Sequence, residues 1–412
     1  MDELCKYIIY SILNKITVMK NILLICILIS IKSLTLMTQC QTQTEDGRDL
    51  YFNNPIFSGD SPDPSILIDG NNYYVVHSSF YYYPGLTIWH SNDLINWTPI
   101  TSTLYTYMGS VWAPDLAKHN GRFYIYFPAD NIIYVISADS ITGPWSEPVK
   151  VIEGFIDPDH FVDKEGNRYL YLSGGSYVPL SDDGLLVTGK PTDVYDGWPI
   201  PREWTIECFC MEGPEIAKRG DYYYKTVAQG GTAGPATGHM VIAARSTSPL
   251  GPWENSPFNP IIRAQADTDT WWSVGHGSIF EDAEGNWHMM FHGYQRGHQN
   301  LGRQTLLVPI EWTEDGWFKI PEHIEIDKPI KKPKGIQTGE SIAINYDFKI
   351  NKTLNPRWKF FGEYDTNRFS LVDNSIEIKG KGNLVGQSSP LLFMPTHHSY
   401  IAEVELNIEG NA

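Results

Sequence analysis

One unit recurs along the chain and limits what it can fold into: an acid beside a proline, an apolar run, a glycine turn, then a Tyr/Val-rich strand. SPDPSILIDGNNYYVVHS comes first, followed by WAPDLAKHNGRFYIYF, IDPDHFVDKEGNRYLYLS and MEGPEIAKRGDYYYKTVA. GHGSIFEDAEGNWHMMFH repeats the unit with histidine in place of the acid. Each copy reads as strand, tight turn, strand. The anchors Asp63, Asp115, Asp157, Glu212 and His276 stand 42 to 64 residues apart, near the span of a four-stranded blade. LTIWHSNDLINW, IYVISADSITGPW and HMVIAARSTSPLGPW supply outer strands, and helical periodicity of any length is missing. The expected fold is all-β: a five-bladed β-propeller over residues 50–330. Its innermost strands line a channel, so equivalent positions converge at one mouth.

Several carboxylates and a histidine at one opening allow few chemistries. Two carboxyl groups flanking a glycosidic bond act as general acid and general base when their pKa values are pushed apart. A third carboxylate beside the acid would help keep it protonated. No Gly-rich cradle with lysines recommends phosphate chemistry, and no Gly-x-Ser-x-Gly elbow recommends a serine nucleophile. A formal net charge of -17 argues against a nucleic-acid partner. The 13 Trp, 24 Tyr and 17 Phe suit sheet packing and also stacking on sugar faces.

In order along the chain, SPDPS, FYYYPGLTIWHSNDLINW, WAPDL, IDPDHF, EGP, GHGS and GRQT resemble glycoside hydrolase family 43, mostly β-xylosidases and α-L-arabinofuranosidases. The resemblance runs from about Asn53 to Ile324. It implies that Asp63 is the general base activating water and Glu212 the general acid. Asp157 would tune and orient that acid. It implies a channel histidine at His276, which in some relatives approaches a calcium ion or water, and a substrate-binding arginine at Arg303. It also implies inversion at the anomeric carbon, with base and acid roughly 6.5–9.5 Å apart. Glu215 is the second choice for the acid, Asp159 competes with Asp157, and Asp115 is expected to hold the WAP turn. Phe80 and Trp112 are expected to line the sugar pocket, with Trp271 or Trp272 forming a wall. The implied substrate is a xylo- or arabino-oligosaccharide. The resemblance implies no required cofactor and, near the axis, room for a structural calcium; no protein partner is evident.

The ends of the chain differ in character. Residues 1–45 read as a leader, with MKNILLICILISIKSL as a signal-like apolar core and Cys40 a candidate lipid-attachment site. Export to the periplasm, the cell surface or the medium is expected. Of the five cysteines only Cys208 and Cys210 lie beyond the leader. In an extended segment they share a face awkwardly for bridging, so two buried thiols are expected. Residues 331–341 read as a polar linker. Residues 342–412, with LNPRWKFF and SPLLF, resemble an incomplete C-terminal β-sandwich.

Overall fold

Short alternating runs closed by turn residues put this chain into antiparallel strands joined mostly in sequence order. In the turn His119–Arg122 both central residues, Asn120 and Gly121, have positive φ, which matches the twist a two-residue hairpin needs. The computed structural model describes residues 50–335, 354–365, 367–372, 375–394 and 399–408. From Asn53 onward they form one unit; the leader, residues 1–45, lies outside the described residues, as does most of the linker.

Five sheets follow one another. The first pairs Ser65–Asp69, Asn72–Val76, Gly85–Ser91 and Thr98–Leu104; the second pairs Asp115–His119, Arg122–Ala129, Ile132–Ala138 and Val149–Glu153. The third runs Asp159–Val162, Arg168–Tyr171, Ser176–Pro179 and Thr192–Asp193. The fourth joins Glu212–Arg219, Tyr222–Gln229 and Met240–Ser246, the last pairing with both Glu254–Asn255 and Ile262–Arg263. The fifth has Trp271–Glu281, Trp287–Gln295 and Arg303–Pro309. The fold is all-β, as expected.

Apolar side chains from successive sheets interleave. Val76, Leu86 and Ile88 of the first sheet pack with Leu116, Ile125, Phe127 and Ile136 of the second. Tyr126, Ile133 and Val135 of the second pack with Leu170 and Val178 of the third. Each such side chain contributes about 1.5–3 kcal/mol on leaving water, and this face-to-face burial stacks the sheets.

A polar row ties the first strands together. Ser65, Asp115, Asp159, Glu215 and Ser278 sit at matching positions, paired across their hairpins with Val76, Tyr126, Tyr171, Thr226 and Met290. Ser65 Oγ donates to Asp115 Oδ1 (3.4 Å), and Asp115 Oδ2 accepts the His160 N–H (2.9 Å). Asp159 Oδ2 accepts the Ile216 N–H (3.2 Å). Glu215 is hydrogen-bonded to Ser278, whose Oγ donates to the Pro64 carbonyl (3.4 Å). The row thus returns to the residue before Ser65.

This register corrects two sequence expectations. Asp115 does not share the position of Asp63 and Asp157; it lies two residues later in the unit, and Ala113 takes the matching place. Asp115 follows its proline, Pro114, whereas Asp63 and Asp157 precede Pro64 and Pro158. Its expected structural role stands. The second correction concerns the cysteines. Cys208 and Cys210 form a disulfide, with Cα atoms 5.2 Å apart. The segment is not extended there: Cys210 has φ of 37°, and this kink turns the two thiols toward each other.

Past the linker, Trp358–Phe361 lies between Leu391–Phe393 and the short strand Tyr82–Tyr83 of the first repeat. Half-buried Lys359 donates through Nζ to the Pro84 carbonyl (2.8 Å), Thr87 Oγ1 (2.6 Å) and Ser102 Oγ (3.0 Å), fixing this strand to the first sheet.

Burial pushes the Asp115 carboxyl up to about 7, against the hydrogen bonds from His160 and Ser65, and raises Asp159 and Glu215 as well. A carboxyl that binds its proton more tightly when folded contributes fully below its unfolded value and loses that contribution as pH rises through the folded one. Thermal stability should therefore decline between about pH 4 and pH 7. Asp115→Asn should flatten that decline in calorimetric scans across pH. Asp115→Ala, which strands the His160 N–H, should cost about 1–3 kcal/mol at any pH.

Candidate active site

Two residues ahead of the polar row stand Asp63, Ala113, Asp157, Gly213 and His276. Four of them are left-handed, with φ of 55° at Asp63, 52° at Asp157, 56° at Gly213 and 50° at His276. Asp63 and Asp157 also precede proline, where the extended region is favoured. Non-glycine residues held this way store strain and concentrate at sites where side-chain direction matters. The turn swings each side chain out of the pleat alternation and toward its counterparts.

The structure brings these residues together. His276 Nδ1 lies 3.6 Å from Asp63 Oδ1 and 3.8 Å from Asp157 Oδ2. The Gly213 N–H donates to Asp157 Oδ2 (3.0 Å), which places the acid preceding it, Glu212, beside Asp157. A Cβ on Gly213 would meet the His276 ring at 2.8 Å, so the Glu-Gly-Pro step needs glycine for space as well as for φ. The Ala113 N–H donates to Ser78 Oγ (2.7 Å), and Ser78 Oγ donates to Asp63 Oδ2 (2.5 Å).

Charge is divided unevenly among the three carboxyls. Arg303 Nη1 donates to Asp63 Oδ1 (2.8 Å) and Nη2 lies 3.4 Å from Oδ2. The Asp63 N–H donates to His292 Nδ1, which also stands 3.2 Å from Oδ1. Burial works to raise the Asp63 carboxyl, but Arg303, His292 and His276 together hold it well below the usual carboxylate range. Glu212 goes the other way. Burial first, then the Asp63 charge and Glu207, raise it to about 7 despite Arg303. Asp157 is also raised, by burial first and then by the charges of Glu212 and Asp63. The site thus favours an ionised Asp63 and biases Asp157 and Glu212 toward their protonated forms. Charge–charge coupling within that pair is mutual.

The remaining expected residues divide clearly. Glu215 and Asp159 belong to the polar row, bonded to Ser278 and to the Ile216 N–H, and neither stands with Glu212. Phe80, half-buried, forms a bridge with Val111, the neighbour of Trp112. Trp112 is 42% exposed, its indole N–H tied to Ser110 Oγ (2.6 Å), leaving a ring free for stacking one residue from the Ala113–Ser78 link. Trp271 is buried; Trp272 is the partly exposed one. Ser78 and His292 were missed in the sequence. Ser78 follows the second strand of the first unit by two residues and His292 lies within that of the fifth; each is the last residue of its repeat as written in the sequence.

Among the described residues no group of three or more His, Cys, Asp or Glu is arranged to hold a metal. A cavity of about 380 Å³ borders the site without including its carboxylates. Asp60, Ser78, Tyr82 and Trp89 line it from the first repeat, Arg357 and Lys359 from the C-terminal strand.

Against known proteins, the family model described as "Glycosyl hydrolases family 43" matches residues 52–318. A xylan 1,3-β-xylosidase of Vibrio is 34% identical over 64% of this chain and 56% of its own length. A non-reducing end α-L-arabinofuranosidase of Bacteroides ovatus is 30% identical over 81% of this chain and 65% of its own. The chain thus spans little more than half to two thirds of these curated relatives. The crystal structure of a GH43 protein from Bacillus licheniformis superposes with a TM-score of 0.76 at 30% identity, covering 84% of this chain and 72% of that one. With the matched region extending over most of the chain and containing every residue of the carboxylate site, this chain belongs to glycosyl hydrolase family 43.

Proposed function

We propose that the five sheets are blades of a five-bladed propeller and that the protein is an inverting exo-glycoside hydrolase releasing terminal β-D-xylose from xylo-oligosaccharides. The observation that carries this reading is the opposed titration of two neighbouring carboxyls: Asp63 held ionised, Glu212 raised to about 7. The closure reading is supported by the polar row running from Ser65 around to Ser278 and Pro64.

In this mechanism Asp63 accepts a proton from a water that attacks the anomeric carbon. Glu212 donates its proton to the departing glycosidic oxygen. Arg303 keeps the base ionised between turnovers, and Asp157 lends Glu212 a neighbour with which a proton is shared. Trp112 and Phe80 offer ring surface to the sugar. The described strands of residues 342–412 are proposed to belong to an accessory β-module docked on the first blade, and the leader to direct export.

The Bacteroides relative supports a second reading, α-L-arabinofuranosidase or dual activity, since it covers more of this chain than the Vibrio xylosidase does. Xylopyranose and arabinofuranose present similar hydroxyl patterns. A panel of 4-nitrophenyl β-D-xyloside against 4-nitrophenyl α-L-arabinofuranoside decides between them; a kcat/KM ratio favouring the arabinoside would replace the main reading. A carbohydrate-binding propeller without catalysis would turn over neither.

Two outcomes follow for the acid and base. Glu212→Gln should lower kcat/KM on xylobiose by about 10²–10⁴-fold, and much less on an activated aryl xyloside, whose leaving group needs little protonation. Asp63→Asn should abolish both, and equal losses in the two variants would reject the assignment. Because Glu212 must hold its proton and titrates at about 7, kcat/KM should fall as pH rises through that value. Asp63, held low, should set the acidic limb at a pH below the ordinary carboxylate range. A profile flat from pH 6 to 9 would contradict this.

A further inference from the structure

The Cys-Phe-Cys run directly precedes the acid, and the mechanism above leaves it unused. Cys208 and Cys210 close a disulfide that encircles Phe209 alone, and only Met211 separates it from Glu212. The segment is pinned on two sides of the bridge. Before it, the Glu207 N–H donates to the Gly230 carbonyl (3.0 Å), and within it the Phe209 carbonyl accepts the Gly230 N–H (3.1 Å). The Ala233 N–H adds a bond to Glu207 Oε2 (2.7 Å). After it, the Gly174 N–H donates to the Met211 carbonyl (2.8 Å). The first anchor lies at the end of a fourth-sheet strand, the second in the turn between the middle strands of the third sheet.

Between the two anchors the backbone reverses through Cys210, a non-glycine residue at φ 37°. A residue there relaxes toward extended geometry unless something holds it. The bridge to Cys208 is the covalent element that spans the kink. Both cysteines are half-buried and Phe209 is 44% exposed, so a small thiol can reach the sulfurs. Sequence alone predicts two thiols on an extended strand, which is the geometry available once the bridge opens.

We propose that the Cys208–Cys210 disulfide is a positioning device for the proton donor Glu212, and that its reduction selectively weakens cleavage of glycosides with poor leaving groups. The inference rests on Glu212 being the acid. A dithiol supplies two electrons and two protons: the S–S bond breaks, two thiols form, and the dithiol closes to its own disulfide. The freed segment no longer fixes the kink, and the carboxyl loses its aim at the leaving oxygen. Attack by water at Asp63 is unaffected, because Asp63 is held by Arg303, Ser78 and His292.

The test compares kcat/KM for xylobiose and for 4-nitrophenyl β-D-xyloside in the full chain as purified, after dithiothreitol, and in Cys208→Ser/Cys210→Ser. Expected is a loss of about tenfold or more on xylobiose with about twofold or less on the aryl xyloside, a fraction of what full acid catalysis supplies. The descending limb of the pH profile should move in the same samples, and reoxidation of the reduced protein should restore both. Dithiothreitol treatment keeps the test open if the double variant does not fold. Equal losses on both substrates would mean a structural role and overturn the proposal, as would no loss at all. Alkylation of both cysteines by iodoacetamide without reductant would overturn it too. Glu212→Gln, run alongside, separates the two levels. If that variant shows no leaving-group dependence, the acid assignment falls and this inference falls with it. If it does show the dependence and the reduced protein does not, only the role of the disulfide is lost.

Discussion

Five strands far apart in sequence can present side chains to one opening only if something fixes them laterally, and here that tie is the buried row Ser65, Asp115, Asp159, Glu215 and Ser278. Burying carboxyls is expensive unless they are paired or neutral. This row is satisfied in both ways: its members bond to one another or to neighbouring backbone, and its acids are shifted toward the protonated form. The row sets the register. Two residues before it, left-handed backbone turns Asp63, Asp157 and His276 toward each other, and Glu212 stands one residue further back, ahead of Gly213.

A single guanidinium then decides which carboxyl ionises. Arg303 is committed to Asp63 through two contacts, and this binding energy outweighs the cost of burying the base. Once Asp63 is charged, the neighbouring buried carboxyls meet like charge in a poorly solvated setting, and both shift upward. One ion pair thus prepares a base and an acid together. The geometry also explains the glycine of the Glu-Gly-Pro corner. It donates to Asp157 and leaves room for His276, two contacts that a side chain at Gly213 would break.

The C-terminal strand reaches the same neighbourhood from another direction. Lys359 gives all three of its bonds to the first sheet, close to the aromatic run that contains Phe80. Strand pairing through Tyr82–Tyr83 makes that run a shared edge rather than a free loop. The ring surface expected to face sugar is therefore shaped by two distant parts of the chain.

Much of this was legible in the residues. The repeat announced all-β sheets at regular spacing because hydrophobic alternation and turn chemistry are local properties. Asp63, Asp157, Glu212, His276 and Arg303 could be named because each sits in a short, distinctive run. Matched by the acid, the acid–proline pairs put Asp115 in the tier of Asp63 and Asp157; matched by the proline, the two tiers separate. Ser78 and His292 stay hidden, since a hydroxyl just past a strand or an imidazole within one carries no local mark of its partner across 15 or 229 residues. The cysteines were read as thiols because bridging depends on a backbone kink at Cys210 that no local pattern announces.

By itself, then, the sequence determined the strand-and-turn vocabulary, the spacing of the units and the identity of the acids available for chemistry. Those depend on side-chain period and residue type. Only the tertiary structure decided which acids face one another, which of them Arg303 ionises and which remain protonated. Charge state is set by burial and by neighbours a few ångströms away, and those neighbours come from strands the chain reaches only by folding.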